Sequence, residues 1–103
     1  MFTIEEFEKF DYDEKLSKLE WLQYRIIMNS FLYYERNTNI IRDSEYDDEA
    51  RLLEKIKVEY PEIYSKSRWD YALHNFNSST GFDIWGSLTE EDKEFILKRS
   101  NLK

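Results

Sequence analysis

Tyr33, Tyr34, Asp43, Tyr46 and Asp47 combine aromatic faces with carboxylates over a short span near the middle of this chain. Asp43, Tyr46 and Asp47 stand at i, i+3 and i+4, so a helix opening here carries all three side chains on one face of its first turn. A tyrosine face attracts a flat cation, and nearby carboxylates add attraction and accept hydrogen bonds from hydroxyls. The same residues also have a purely structural reading. Asp43 or Ser44 then caps a helix, Asp47 favours the positive end of its dipole, and the tyrosines pack in the core with their hydroxyls at the rim.

Bringing these side chains together takes two helices and a turn. Leu16, Leu19, Leu22 or Gln23, Ile26, Ser30 and Tyr33 recur at helical spacing, which predicts a long helix over about 14–36, and Ile27, Phe31 and Tyr34 widen its stripe. A second helix over about 44–58 places Tyr46, Ala50, Leu53, Ile56 and Tyr60 on its inner side, with Leu52 beside them. Between them, Asn37, Thr38 and Asn39 are turn formers, and Ile40 and Ile41 are expected to plug the bottom of the hairpin. A connection of roughly six residues folds the helices back on each other. Outside the hairpin, Thr3 with Glu6 forms a capping box for a short helix over 4–10, and Pro61 can start a short turn through Tyr64. Ser87 with Glu90 reads as a second capping box, opening a last helix to about Arg99 with Phe95 and Ile96 inward. The expected fold is an all-α single domain over 1–103.

Composition narrows the functional classes. The chain has 103 residues, 41% of them hydrophobic, with seven Phe, eight Tyr and three Trp, enough for one core. A net charge of −7 disfavours direct nucleic-acid binding. Five acids within 43–49 offer a local patch that could imitate DNA, although interspersed charges more often just solvate helix faces. No cysteine is present, His74 is the sole histidine, and no metal site is expected. The basic and apolar start of a signal peptide and any 18-residue apolar span are both missing, so the expectation is a cytoplasmic protein without a membrane segment.

The pattern Leu32-Tyr33-Tyr34, then Ile41-x-Asp43-Ser44-Glu45-Tyr46-Asp47, then Leu53 followed after five residues by Glu59-Tyr60-Pro61-Glu62, resembles the N-terminal Ia subdomain of NAD-dependent DNA ligases. The resemblance covers about 16–63, with Arg42 where the family usually has serine or proline. It implies that Tyr33, Tyr34, Asp43, Tyr46 and Asp47 grip the nicotinamide mononucleotide half of NAD. That ligand suits the residues, because the oxidised ring is a flat cation and its ribose carries hydroxyls. From Ser65 the chain leaves the pattern. The divergent stretch 65–86 is rich in aromatics, including Trp69, Tyr71, Phe76, Phe82 and Trp85, which either form a second packing layer or present a binding surface; packing is favoured.

The 103 residues contain no Lys-x-Asp-Gly setting for an adenylated lysine, so no catalysis is expected. The first functional expectation is a stand-alone ligase-Ia-like module of phage or prophage type that binds nicotinamide mononucleotide, NAD or a related nucleotide. The second is a protein-interaction module, for example an inhibitor of a host defence or nucleic-acid enzyme. The third is a regulator of a host DNA ligase.

Overall fold

In the computed structural model, residues 1–36, 43–76 and 84–100 are described, Asp43 by its backbone alone. They form seven helices and no strand: α1 (Ile4–Lys9), α2 (Tyr12–Tyr34), α3 (Asp43–Glu59), α4 (Pro61–Ser65), α5 (Asp70–Leu73), α6 (Ile84–Ser87) and α7 (Glu90–Ser100). The fold is all-α, as expected, and its radius of gyration of 13.2 Å matches the roughly 13 Å of a compact single domain of this length. The turn expected at 37–42 and Phe82 lie outside the described residues.

Local chemistry explains the helix starts. Thr3 Oγ1 accepts the Glu6 backbone N–H at 3.1 Å while Glu6 Oε1 accepts that of Thr3 at 2.8 Å, completing the capping box of α1. Phe10 is extended and ends α1; Asp11 then caps α2 by accepting the Glu14 backbone N–H at 2.8 Å. The long helix therefore starts two residues before the position that apolar spacing marks. Pro61 occupies the first turn of α4, where its missing N–H costs nothing.

The α2–α3 hairpin is the centre of the core. Leu19, Leu22, Ile26, Ile27 and Phe31 of α2 meet Ala50, Leu53 and Ile56 of α3, all buried. Arg25 pairs with Glu49, while Ser30 and Tyr34 neighbour Tyr46, so the numbering falls along one helix as it rises along the other and the pair is antiparallel. Phe7 of α1 is fully buried and meets Tyr60 edge-on at 5.0 Å, with Phe2 and Phe10 around it.

The aromatic stretch after Ser65 resolves in favour of packing. Trp69 is 3% exposed and Phe76 is buried, while Trp85 lies on Phe31 with ring centroids 4.5 Å apart. Tyr71 stays half outside, but its hydroxyl donates to Asp92 Oδ2 and accepts the Thr89 backbone N–H. Thr89 also corrects the expected start of the last helix: Ser87 belongs to α6, and the Thr89 hydroxyl accepts the Asp92 backbone N–H at 3.2 Å to cap α7. Phe95 is only partly buried, and Ile96 carries the inward face.

Buried hydrogen bonds tie the outer helices to the hairpin. Gln23 Nε2 donates to Ser67 Oγ at 2.8 Å, and that hydroxyl donates to the Tyr64 carbonyl at 2.6 Å. Tyr64 Oη donates to the Leu73 carbonyl at 2.8 Å, and Lys57 Nζ reaches the Phe76 carbonyl at 2.6 Å. Burial pushes the Tyr64 phenol well above its ordinary value, which keeps it a donor. Among the described residues no helix is long and apolar enough to cross a membrane.

Candidate functional site

The corner where α2 ends and α3 begins carries the residues that the sequence singles out. Tyr33 and Tyr34 close α2 at 48% and 59% exposure, and their rings meet edge to face with centroids 4.9 Å apart. Both rings point away from the core because Phe31 and Leu32, just before them, take the buried positions of the last turn. Edge-to-face contact leaves part of each ring free toward solvent, which is the surface a flat cation needs.

On the facing helix, Tyr46 and Asp47 stand one residue apart and so point in different directions. Asp47 is exposed. Tyr46 is half-buried, packs against the core cluster, and has a buried hydroxyl. Its phenol is pushed upward chiefly by that burial, opposed by the neighbouring Ser30 hydroxyl and reinforced by the nearby Tyr34, Asp47 and Glu49. Tyr33, Tyr34, Tyr46 and Asp47 therefore share one corner. Tyr46 lies on the inner side, as helical spacing predicts: its outer edge can support a bound ring, while its hydroxyl belongs to the helix interface. Asp43 opens α3, and its side chain lies outside the described residues.

A residue that spacing counted as part of an acidic patch is structural instead. Glu49 is 4% exposed, and its Oε2 accepts both Nε and Nη2 of Arg25 at 2.9 Å. The pair fastens the first half of α3 to the middle of α2 and so sets the height of Tyr46 and Asp47 relative to the tyrosines. Among the described side chains of this turn, the exposed acids are Glu45, Asp47 and Asp48, and Asp48 is within 3.3 Å of Arg51. With Glu49 drawn inside, the patch has one acid fewer to imitate a phosphate backbone.

The corner offers binding chemistry: aromatic faces for a planar cation and a carboxylate for hydroxyl donors. His74 is 71% exposed at its side chain and lies 3.4 Å from Asp70 Oδ1. Among the described residues no group of three or more His, Cys, Asp or Glu is placed to hold a metal ion.

No family model matches this chain, and no solved structure matches it. A DNA ligase from Endomicrobium trichonymphae is 42% identical to it over 45 residues, which is 44% of this chain. The matched segment spans 7% of that ligase. Part of the chain is thus related to a segment of a DNA ligase.

Proposed function

We propose that this protein is a non-catalytic helical module, similar to the Ia subdomain of NAD-dependent DNA ligases, that binds the nicotinamide mononucleotide half of NAD or a related nucleotide. The observation that carries the reading is the corner itself: an exposed Tyr33–Tyr34 pair beside the exposed carboxylate of Asp47, with Tyr46 bracing the floor. The ligase-related segment supports the same reading. In it, a tyrosine face receives the nicotinamide ring and Asp47 accepts from the ribose hydroxyls, joined by Asp43 as the resemblance implies. The phage origin belongs to the same proposal.

Calorimetric and NMR titration with nicotinamide mononucleotide, NAD and AMP tests it. The expected affinity for nicotinamide mononucleotide is weak, of about millimolar order, since an open corner recovers little of the association entropy. Asp47→Ala and Tyr34→Ala should abolish binding with the melt unchanged, as both side chains are exposed. Absence of heat and of chemical-shift change at these residues at millimolar nicotinamide mononucleotide defeats the proposal. The reading as an inhibitor of a host enzyme, or as a regulator of a host ligase, has less support here. The burial of Trp69, Phe76 and Glu49 removes much of the surface it relied on.

A further inference from the structure

About ten residues before the tyrosine pair, near 15 Å along α2 at the helical rise, a second feature faces solvent. A shallow cleft of about 340 Å3 lies there, walled by Trp21, Tyr24, Trp69 and Phe95, with Arg68 and Arg99 beside them. The Tyr24, Trp69 and Phe95 rings pack on one another with centroids 6.1 to 6.3 Å apart. Arg68 rests against this floor, its guanidinium 4.5 Å from the Trp69 centroid and 4.4 Å from that of Phe95, while Arg99 lies 4.1 Å from Phe95.

The two guanidinium groups differ in how they are held. Arg68 Nη2 donates to Asp92 Oδ1 at 2.9 Å, and its other donors have no acceptor among the described residues, with the side chain 41% exposed. Arg99 makes no hydrogen bond or ion pair among them and is held by stacking. Neither neighbouring acid forms an ion pair with it among the described residues. Asp92 is engaged with Arg68 and Tyr71, and Glu20, which also lines the cleft, is turned to a backbone amide, its Oε2 accepting the Arg68 N–H at 2.9 Å. In a chain of net charge −7, three of the six arginines, Arg25, Arg68 and Arg99, stand against the rings of this one region.

Geometry decides between two anionic ligands. A nucleobase stacks on a free aromatic face, but the Tyr24, Trp69 and Phe95 rings already contact each other and Arg68 covers Trp69 and Phe95. What remains outward is a set of guanidinium donors beside Trp21, which is 42% exposed. Trp21 also borders an adjoining groove with Phe2 and Phe10, so apolar surface continues past the cationic rim. Arginine fixed by stacking and set beside tryptophan is the composition of a protein-binding hot spot that takes carboxylates in bidentate fashion.

We propose that this cleft docks an acidic segment of a partner protein, whose carboxylates take the outward donors of Arg68 and Arg99 while an adjacent apolar side chain covers Trp21. The probe is an amidated peptide of glutamates flanking one phenylalanine, titrated into the full chain and followed by NMR at the tryptophan indole N–H groups; a peptide with lysine for glutamate is the control. Saturable shifts at Trp21 are expected with the acidic peptide only, with binding about tenfold weaker in Arg99→Glu, whose exposed side chain lets the fold persist. No saturable shift, equal binding of the lysine peptide, or unchanged binding in Arg99→Glu overturns the proposal. So does AMP shifting the same signals where the acidic peptide does not, which would make the cleft a nucleotide site.

Discussion

Replacing Arg25 by alanine isolates the contact that holds the candidate site in register. Glu49 keeps only 6% of its side-chain surface accessible, so losing Arg25 leaves a carboxylate in a poorly solvated interface. Its Oε1 already lacks a partner, and Oε2 would lose both donors. Breaking a fully buried pair in this way costs about 3–5 kcal/mol. Arg25 is 30% exposed, so water can enter the space it leaves, and the low end, about 3 kcal/mol, applies. The guanidinium also stands 5.3 Å from the Trp21 ring, an exposed contact worth about 0.5 kcal/mol. Glu49→Ala should cost less, about 1 kcal/mol, because the long Arg25 side chain can turn its charge into solvent. Urea and thermal melts of both single variants and the double variant at neutral pH measure this asymmetry. Arg25→Ala should lower the melting temperature by about 10 °C or more, at the roughly 4–8 °C per kcal/mol expected of a domain this small. Removing Glu49 as well should restore part of that loss. If Arg25→Ala costs under about 1 kcal/mol, or if Glu49→Ala costs more than Arg25→Ala, Glu49 is better solvated than argued and the pair does not set the corner.

Two further perturbations test the packing around the hairpin. Trp69→Ala should cost about 3–5 kcal/mol because it empties a site closed by Tyr24 and Phe95, and Trp85→Ala, only half-buried on Phe31, should cost less; equal or negligible losses in denaturant melts refute this placement. Raising the pH addresses the buried phenols: burial lifts Tyr64 and Tyr46 above the ordinary value near 10, so the unfolded chain loses these protons first. Their contribution to stability should be complete below about pH 9 and fall above about pH 10, by up to roughly 1.4 kcal/mol per pH unit for each phenol. Tyr64→Phe should flatten that slope, and a slope unchanged by the substitution refutes the assignment.

How much of this was legible before the structure depended on how far apart the deciding groups lie in sequence. The α2–α3 hairpin was readable because Leu19, Leu22, Ile26, Ala50, Leu53 and Ile56 repeat at helical spacing, and each repeat is local. The cap of α7 was not, since Ser87 with Glu90 and Thr89 with Asp92 fit the same four-residue pattern; Tyr71 binds Thr89 and Asp92 from eighteen and twenty-one residues away. Glu49 looked like one more surface acid because its partner Arg25 is twenty-four residues distant. For the candidate site, the residue types and their clustering were visible and helical spacing put Tyr46 on the inner side, but that Tyr33 and Tyr34 leave the apolar stripe of α2 for solvent was not. The arginine–aromatic cleft left a faint trace in Arg68 beside Trp69 and in Phe95 and Arg99 at i, i+4 of one helix.

The inward turn of Tyr46 follows from the same periodicity that builds the core, and it bears on what the corner can bind. Tyr46, Glu49, Leu53 and Ile56 advance by three or four residues and hold one face of α3 against α2, while Asp47 and Asp48 fall about a quarter-turn or more away and meet solvent. On α2, Phe31 and Leu32 take the inner positions and leave Tyr33 and Tyr34 outside. One ring is thus held in place by packing, and two rings and a carboxylate stand free around it. A planar ligand meeting this arrangement gains a fixed floor but must order the exposed side chains as it binds, at about 0.5–1.5 kcal/mol each. That ordering cost keeps affinity low for the corner alone. Any second surface that restrained Tyr34 or Asp47 in the bound arrangement would raise the affinity without adding a contact to the ligand.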